Sequence, residues 1–150
     1  RFPLHLVSHQ PATRLHSQLD HSDYSRRHKI DDREVVRIHP DAAAERGIAD
    51  GATVRVFNDR GACLAGARLD DRVAPDVLAL PTGAWYSPAE PGAPGALDLA
   101  GNPNVLTRDI GTSSLAQGPT AHTCLVDVEP YPGDAPRPYV YTPPPILPHP

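Results

Sequence analysis

Residues 53–69 read TVRVFNDRGACLAGARL, and their pattern is the clearest indication of the fold. Apolar and polar side chains alternate from Thr53 to Phe57, which is typical of a β-strand with one buried face. Residues 58–61 (NDRG) then supply turn formers, and residues 62–69 continue as a second extended run. The stretch is therefore predicted to form an antiparallel hairpin.

Short extended runs recur on both sides of this hairpin. Further strands are predicted over four ranges: 1–7, 35–38, 77–80 and 122–129. One short helix is predicted to begin at Pro40, directly after His39, and to end at Gly47. Because many short strands accompany a single helix without strand–helix alternation, the sequence predicts an all-β domain closed as a barrel.

Length and charge narrow the classes of function. A chain of 150 residues has the size of one ordinary domain. Its 14 Lys and Arg residues are outnumbered by 18 Asp and Glu residues, so its field repels polyanions and nucleic acid is not an expected partner. No apolar run approaches the length that crosses a bilayer, so membrane insertion is not expected either.

The composition changes after Glu129. Nine of the 19 prolines lie in residues 130–150, and proline has no N–H to donate to a sheet. We therefore divide the chain into a barrel domain, residues 1–129, and a proline-rich tail, residues 130–150. The tail is predicted to be extended, outside the sheet, and either packed on a neighbour or mobile. The abrupt strand at Arg1 predicts that the chain was cut from a longer protein.

Cysteine and charged side chains offer no catalytic or metal site. Cys63 and Cys124 lie far apart in alternating apolar runs, which favours buried free thiols, with a disulfide as the alternative. The histidines lack the spacing of metal ligands. Residues 31–33 (DDR) and 70–72 (DDR) are predicted to be solvated charges at turns.

A first polar cluster, residues 8–18, opens a long polar stretch that extends to Arg33. Loops of this length inside a domain are often functional. The cluster combines a guanidinium, imidazoles, hydroxyls and amides, which are the groups that bind a phosphate-bearing heterocycle. A plain solvated loop is the alternative. The candidate binding residues are Ser8, His9, Gln10, Arg14, His16, Ser17 and Gln18.

A second polar cluster, residues 102–119, mixes amides, hydroxyls and glycines around one aspartate. Such groups complement the hydrogen-bonding edge of a guanine or a pterin, while an Asx-turn and helix cap at residues 109–114 is the alternative. Trp85 precedes this cluster and is predicted to pack in the core rather than to stack on a ligand. The candidate binding residues are Asn104, Thr107, Asp109, Thr112 and Gln117.

Three motifs in a fixed order carry a family resemblance. They are residues 14–18 (RLHSQ), the turn and strand of residues 50–61 (DGATVRVFNDRG), and residues 104–113 (NVLTRDIGTS). Together they resemble the C-terminal molybdopterin dinucleotide-binding domain of dimethyl-sulfoxide, trimethylamine-N-oxide and biotin-sulfoxide reductases. The likeness covers approximately residues 3–129, which is nearly everything except the tail.

The resemblance implies a double-psi β-barrel that binds bis(molybdopterin guanine dinucleotide). The first cluster would contact one pterin and its pyrophosphate, and the second a pterin or nucleotide edge. The partner would be the preceding catalytic domains of the same enzyme, which hold the protein ligand of molybdenum and the oxide pocket. The isolated chain would then have no catalytic residue, no bound cofactor and no activity. Relatives of this type work in the bacterial cytoplasm or periplasm, and we favour the cytoplasm.

Two other classes of function compete. Residues 109–112 (DIGT) approach the motif of aspartic peptidases, in which two carboxylates share a proton, with Asp109 as the candidate. Double-psi barrels also serve as protein-binding adaptors, for which the proline-rich tail would be a recognition segment.

Overall fold

The computed structural model describes residues 1–147, which form a closed six-stranded barrel. The strands are β1 (Leu4–Val7), β2 (Val35–Ile38), β3 (Thr53–Phe57), β4 (Ala62–Leu69), β5 (Val77–Ala79) and β6 (Leu125–Pro130). The helices are α1 (Asp23–Arg26) and α2 (Pro40–Glu45), with 3₁₀ turns at Pro103–Val105 and Ala121–Thr123. Within these residues, no helix has the length and apolar character needed to cross a bilayer.

Strand pairing follows the order β1-β5-β2-β4-β3-β6 around the barrel. Strands β3 and β4 pair antiparallel with Val54 opposite Ala65, which confirms the predicted hairpin. Two pairs, β1 with β5 and β2 with β4, are parallel and need long crossovers. The prediction of an all-β, double-psi barrel is confirmed. Its two long connections are the first loop (residues 8–34, between β1 and β2) and the second loop (residues 80–124, between β5 and β6).

Alternate side chains of the strands fill the barrel. Val54 and Val56 on β3, like Leu6 and Ile38 on their strands, are fully buried, while their chain neighbours are not. This follows from the two-residue period of a strand. Cys63 and Cys124 are buried and free, as predicted, and burial raises the pKa of the Cys63 thiol, so this group stays protonated.

Element boundaries differ from the predicted ones at the barrel ends. Strand β1 begins at Leu4 rather than Arg1, and β6 begins at Leu125 because residues 121–123 form a 3₁₀ turn. Helix α2 has Pro40 in its first turn, as predicted, and the imidazole of His39 accepts the N–H of Asp41 at 3.1 Å. These ends depend on capping contacts, which alternation alone does not specify.

Two charged residues predicted to be solvated are buried. Arg33 is 2% exposed, and its guanidinium donates to the carbonyls of Asp31 and Pro136. Asp70 is 8% exposed and accepts hydrogen bonds from the guanidinium groups of Arg37 and Arg72. The prediction was wrong at these positions because Pro136 and Arg37, on other segments, supply part of the hydrogen bonding that allows these two groups to be buried.

The tail is also more ordered than the sequence predicted. Pro130 is the last residue of β6, paired with Val54, and the N–H of Tyr131 donates to Thr53 at 3.0 Å. The expectation that the tail lies wholly outside the sheet was wrong at Pro130. A proline can occupy the end of a strand because no backbone N–H has to be donated there. Beyond Tyr131, Pro136, Tyr139 and Tyr141 contact loops of this same chain, whereas residues 142–147 are exposed. Its last residues, 148–150, lie outside the described residues.

Candidate functional site

The first and second loops enclose a cavity of about 440 Å³, called the cleft below. His16 and Ser17 from the first polar cluster line it, and so do Asn102 and Asn104 from the second. The two clusters that the sequence singled out therefore share one cavity. The remaining lining residues are Thr82, Gly83, Ala84, Trp85 and Tyr86.

Tight backbone packing shapes the wall that the first loop contributes. His16 adopts a left-handed conformation (φ 51°), and Gly83 (φ 90°) lies directly against its carbonyl. A Cβ at position 83 would overlap the carbonyl oxygen of His16. The indole N–H of Trp85 donates to the carbonyl of Ser17 at 2.8 Å. These contacts fix the backbone that presents His16 and Ser17 to the cleft.

Gly83→Ala is expected to disturb this wall. The new methyl group collides with the His16 carbonyl, and alanine tolerates a φ of 90° poorly, so we expect a loss of about 2 kcal/mol in the free energy of unfolding. Denaturant unfolding measures it. Gly133→Ala, also at positive φ but with open space around its Cβ, isolates the backbone strain. Equal losses in the two variants would contradict the proposed collision.

A buried carboxylate organises the opposite wall. Asp98 is fully buried and accepts four backbone N–H groups at 2.7–3.2 Å, from Ser87, Ala100, Gly101 and Asn102. One side chain thus ties the segment that follows Trp85 to the segment that precedes Asn104. Four charge-assisted hydrogen bonds make this a strong anchor.

Asn102, whose backbone N–H is bound by Asp98, positions Asn104 in turn. Its side-chain oxygen accepts the N–H of Asn104 at 3.0 Å and caps the 3₁₀ turn Pro103–Val105. The Asn104 side chain is thereby held at the cleft. Neither Asp98 nor Asn102 was among the predicted site residues. The signal that existed was the run of turn formers at residues 101–104 (GNPN), which marks a capped turn but not its distant partner.

Three polar side chains in the cleft are available to a ligand. His16, Ser17 and Asn104 are exposed, and their side chains make no hydrogen bond within residues 1–147. Trp85 and Tyr86 add aromatic surface beside them, so the prediction that Trp85 packs in the core was wrong. Open donors and acceptors next to aromatic faces fit a flat, polar heterocycle such as a pterin.

Arg14 lies elsewhere, in a buried ionic cluster with Asp20, Lys29 and Glu34. Its guanidinium side chain is 1% exposed and contacts Asp20 at 3.1 Å and Glu34 at 2.7 Å. Lys29 contacts the same two carboxylates at 3.0 and 3.1 Å. The guanidinium is therefore already bound by protein groups, and the cluster holds two positive and two negative charges.

The ionic cluster keeps Asp20 ionised. Burial by itself raises the pKa of Asp20, but Lys29, the backbone N–H of Trp85 and Arg14 together outweigh it and hold the pKa below its usual value. The first loop therefore contains a buried network of ion pairs. The sequence showed the charged residues but not that they meet.

A second cavity, of about 470 Å³, adjoins another part of the first loop. His9 and Thr13 line it together with four cationic side chains and one carboxylate. The cations are Arg27, Lys29, Arg37 and Arg68, and the carboxylate is Glu34. We call it the cationic groove. Its charge comes from residues of α1, β2 and β4 and their flanks, so only the folded chain assembles it.

The other predicted site residues lie outside the cleft. Gln10 donates to the carbonyl of Arg14, and Thr107 to that of Asn104. Thr112 and Gln117 donate to carbonyls of their own exposed segment, where the alternative of a helix cap does not hold because no helix forms. Ser8 is half-buried, and Gln18 and Asp109 are exposed.

An exposed Asp109 lacks the burial that makes a carboxylate pair share a proton, so the structure gives the peptidase alternative no support.

Comparison with known proteins agrees with the resemblance. Residues 4–125 match the family model described as "Molydopterin dinucleotide binding domain". The chain is 58% identical over 132 residues to a biotin sulfoxide reductase of Cereibacter sphaeroides, covering 88% of this chain and 17% of the relative. It is 54% identical over 134 residues to trimethylamine-N-oxide reductase 1 of Escherichia coli K12, covering 89% and 16%.

A further relative and a solved structure extend the comparison. A dimethyl sulfoxide/trimethylamine N-oxide reductase of C. sphaeroides is 47% identical over 133 residues, covering 89% of this chain and 16% of the relative. The chain thus spans about one sixth of the length of these relatives. Acetylene hydratase from Pelobacter acetylenicus has the same fold (TM-score 0.69, 18% identity, covering 87% of this chain and 18% of that one). The chain therefore belongs to the molydopterin dinucleotide binding domain family.

Proposed function

We propose that this chain is the C-terminal cofactor-binding domain of a molybdenum-dependent S-oxide or N-oxide reductase. Its cleft would hold part of a bis(molybdopterin guanine dinucleotide). The observation that carries the proposal is the meeting of two separate polar clusters at one cavity with unpaired side chains. The three sequence relatives described above are all reductases, which favours this function over a peptidase or an adaptor.

The cleft residues take distinct parts in this proposal. His16, Ser17 and Asn104 bind the edge of a pterin, and Trp85 and Tyr86 flank its ring. Two-electron oxygen-atom transfer is the chemistry that the cofactor's molybdenum supplies when bound. This chain binds and orients, and alone it is expected to be inactive and free of cofactor.

The phosphates need positive charge from a group other than Arg14, whose guanidinium is buried against Asp20 and Glu34. The cationic groove offers this charge, because Arg27 is exposed there beside His9. Arg68 is exposed there as well, although its guanidinium lies 3.7 Å from the carboxylate of Asp50. Arginine forks suit phosphate oxygens. We therefore move the pyrophosphate contact from Arg14 to the groove.

Exposed apolar side chains support docking onto further domains. Leu15 and Leu19 of the first loop are 58% and 64% exposed, and Ile110 and Leu115 of the second are 55% and 97% exposed. Contiguous exposed apolar surface is typical of interfaces, and each of these two pairs lies within a few residues along its loop. We infer that the preceding catalytic domains of the enzyme cover them.

Ligand titration of the chain tests this function. Trp85 is the only tryptophan, so its fluorescence reports directly on the cleft. Molybdopterin guanine dinucleotide released from a related enzyme is expected to change the emission, and GMP to bind weakly, because the rest of the enzyme is missing. His16→Ala and Asn104→Ala should each weaken the dinucleotide by about five- to ten-fold, the value of one hydrogen bond.

His122→Ala is the matched control, because this exposed histidine lines none of the cavities described above. It should leave the titration unchanged. Binding that survives both cleft substitutions at full strength would contradict the assignment of the cleft.

A further inference from the structure

The tail crosses from the barrel to the walls of the cleft. After β6, the carbonyl of Pro136 accepts from Arg33 at 2.5 Å. The N–H of Tyr139 donates to the hydroxyl of Ser87 at 3.2 Å, and its own hydroxyl donates to the carbonyl of Pro88 at 3.0 Å. Residues 131–141, called the clasp below, therefore bind the second loop just beyond Trp85 and Tyr86.

Tyr141, at the end of the clasp, packs against the first loop. Its hydroxyl donates to Asp20 Oδ2 at 3.0 Å. Its ring lies roughly parallel to the indole of Trp85, with 6.5 Å between centroids and an interplanar angle of 27°. His21 of the first loop also packs near this indole, at 5.1 Å. The cations of Arg26 and Lys29 lie 5.1 and 5.9 Å from the ring centroid. An aromatic ring with cations and a second ring around it is held on several sides.

Asp20 joins Tyr141 to Trp85. The same Oδ2 atom that accepts the Tyr141 hydroxyl also accepts the backbone N–H of Trp85 at 3.0 Å, while Oδ1 faces Arg14 and Lys29. The ionic cluster is already balanced in charge, so neutral Tyr141 adds no charge to it. Burial first, and then the charge of Asp20, raise the pKa of Tyr141, which keeps its hydroxyl protonated and able to donate.

Trp85 connects Tyr141 and Asp20 to the cleft. It lines the cleft, and its indole N–H holds the carbonyl of Ser17. A continuous series of contacts thus runs from Tyr141 through Asp20 and Trp85 to Ser17. Tyr141 therefore contacts Asp20 and Trp85, and Trp85 and Ser17 line the cleft.

We propose that Tyr141 is a positioning residue for the cleft and that the clasp sets the orientation of Trp85 and, through it, of Ser17. A residue of the proline-rich segment, which sequence composition assigns to a separate tail, then belongs to the binding site. The effect on Trp85 stands by itself, whereas its consequence for the cofactor rests on the proposed function.

Quenching of Trp85 fluorescence by acrylamide tests the clasp in the full chain without ligand. Tyr141→Ala removes the ring that lies 6.5 Å from the indole of Trp85 and is expected to shift the emission to the red and raise the quenching constant at least about two-fold. Tyr141→Phe keeps the ring, loses the hydrogen bond to Asp20, and should give a smaller change in the same direction. Far-UV circular dichroism checks that each variant is folded.

Tyr24→Ala and Tyr24→Phe are matched controls. Tyr24 is an exposed tyrosine of the first loop whose ring contacts His28 and Arg27 rather than Trp85. Both should leave the quenching constant unchanged. The proposal is overturned if folded Tyr141→Ala and Tyr141→Phe proteins quench like the parent chain.

Titration with the released dinucleotide separates this proposal from the proposed function. We expect Tyr141→Ala to bind about five-fold more weakly than the parent chain, which corresponds to one lost hydrogen bond in the cleft. If Trp85 becomes exposed but neither protein binds dinucleotide, the clasp is upheld and the proposed function fails. If the parent binds and Tyr141→Ala binds equally with unchanged quenching, the clasp fails and the function stands.

Discussion

Replacing Asp98 by alanine is expected to lower the free energy of unfolding by about 4 kcal/mol, because it leaves four buried backbone N–H groups without an acceptor. Each such donor costs about 1–3 kcal/mol when unsatisfied, and water entering the space recovers part of this. The segments that follow Trp85 and precede Asn104 should separate. Denaturant unfolding followed by circular dichroism measures the loss.

Asp98→Asn tests whether the charge itself matters. The amide keeps one acceptor oxygen but places an NH₂ group against N–H donors, so about half of the loss is expected. Asp71→Ala, at an exposed aspartate, should stay within about 0.5 kcal/mol of the parent. An Asp98→Asn protein as stable as the parent would show that the anion is not the organising element of this wall.

Replacing Arg14 by alanine is expected to cost about 3–5 kcal/mol, because it leaves two buried carboxylates with one cation between them. Arg14→Lys should recover only part of this, since one ammonium cannot reach Asp20, Glu34 and the carbonyl of Thr82 in the geometry of a guanidinium. Equilibrium unfolding at neutral pH provides the comparison.

The acid dependence of the Arg14→Ala protein gives an independent check. The pKa of Asp20 is below its usual value, so its contribution to stability is complete above about pH 4 and is lost as the pH falls through the folded-state pKa. Without Arg14 this pKa rises, and the loss begins at higher pH. Arg27→Ala, an exposed arginine of the same loop, is the control and should change stability by less than about 0.5 kcal/mol. Matching acid curves in parent and Arg14→Ala would contradict the buried ion-pair role.

The sequence predicted the barrel because side chains alternate every two residues along a strand, so a few residues are enough to identify each strand. Alternation from Thr53 to Phe57 and the turn at residues 58–61 specify a hairpin within a few residues, and the structure contains this hairpin, with Phe57 opposite Ala62. The two polar clusters could also be identified from the local sequence. Runs of polar side chains are costly to bury without hydrogen-bond partners, so such runs indicate loops rather than core strands. His16, Ser17 and Asn104 were predicted as site residues, and these three line the cleft.

The role of Arg14 was beyond the sequence for a physical reason. Its partner Glu34 lies 20 residues away, and a guanidinium in a polar stretch has the same local pattern whether it meets a phosphate or a carboxylate. The position of Trp85 was also beyond the sequence. The carboxylate of Asp20, which accepts its backbone N–H, lies 65 residues away along the chain, and only tertiary packing determines which face of the indole is exposed.

Local patterns in the sequence were enough to predict the strands, the hairpin and the two polar segments, because each is a property of neighbouring residues. The anchoring of one wall by Asp98, the burial of Arg14 and the contact of Tyr141 with Asp20 across 121 residues arise only when distant segments fold together. These contacts join segments whose separation along the chain is large, and their energy comes from satisfying buried charges and N–H groups that no local pattern identifies.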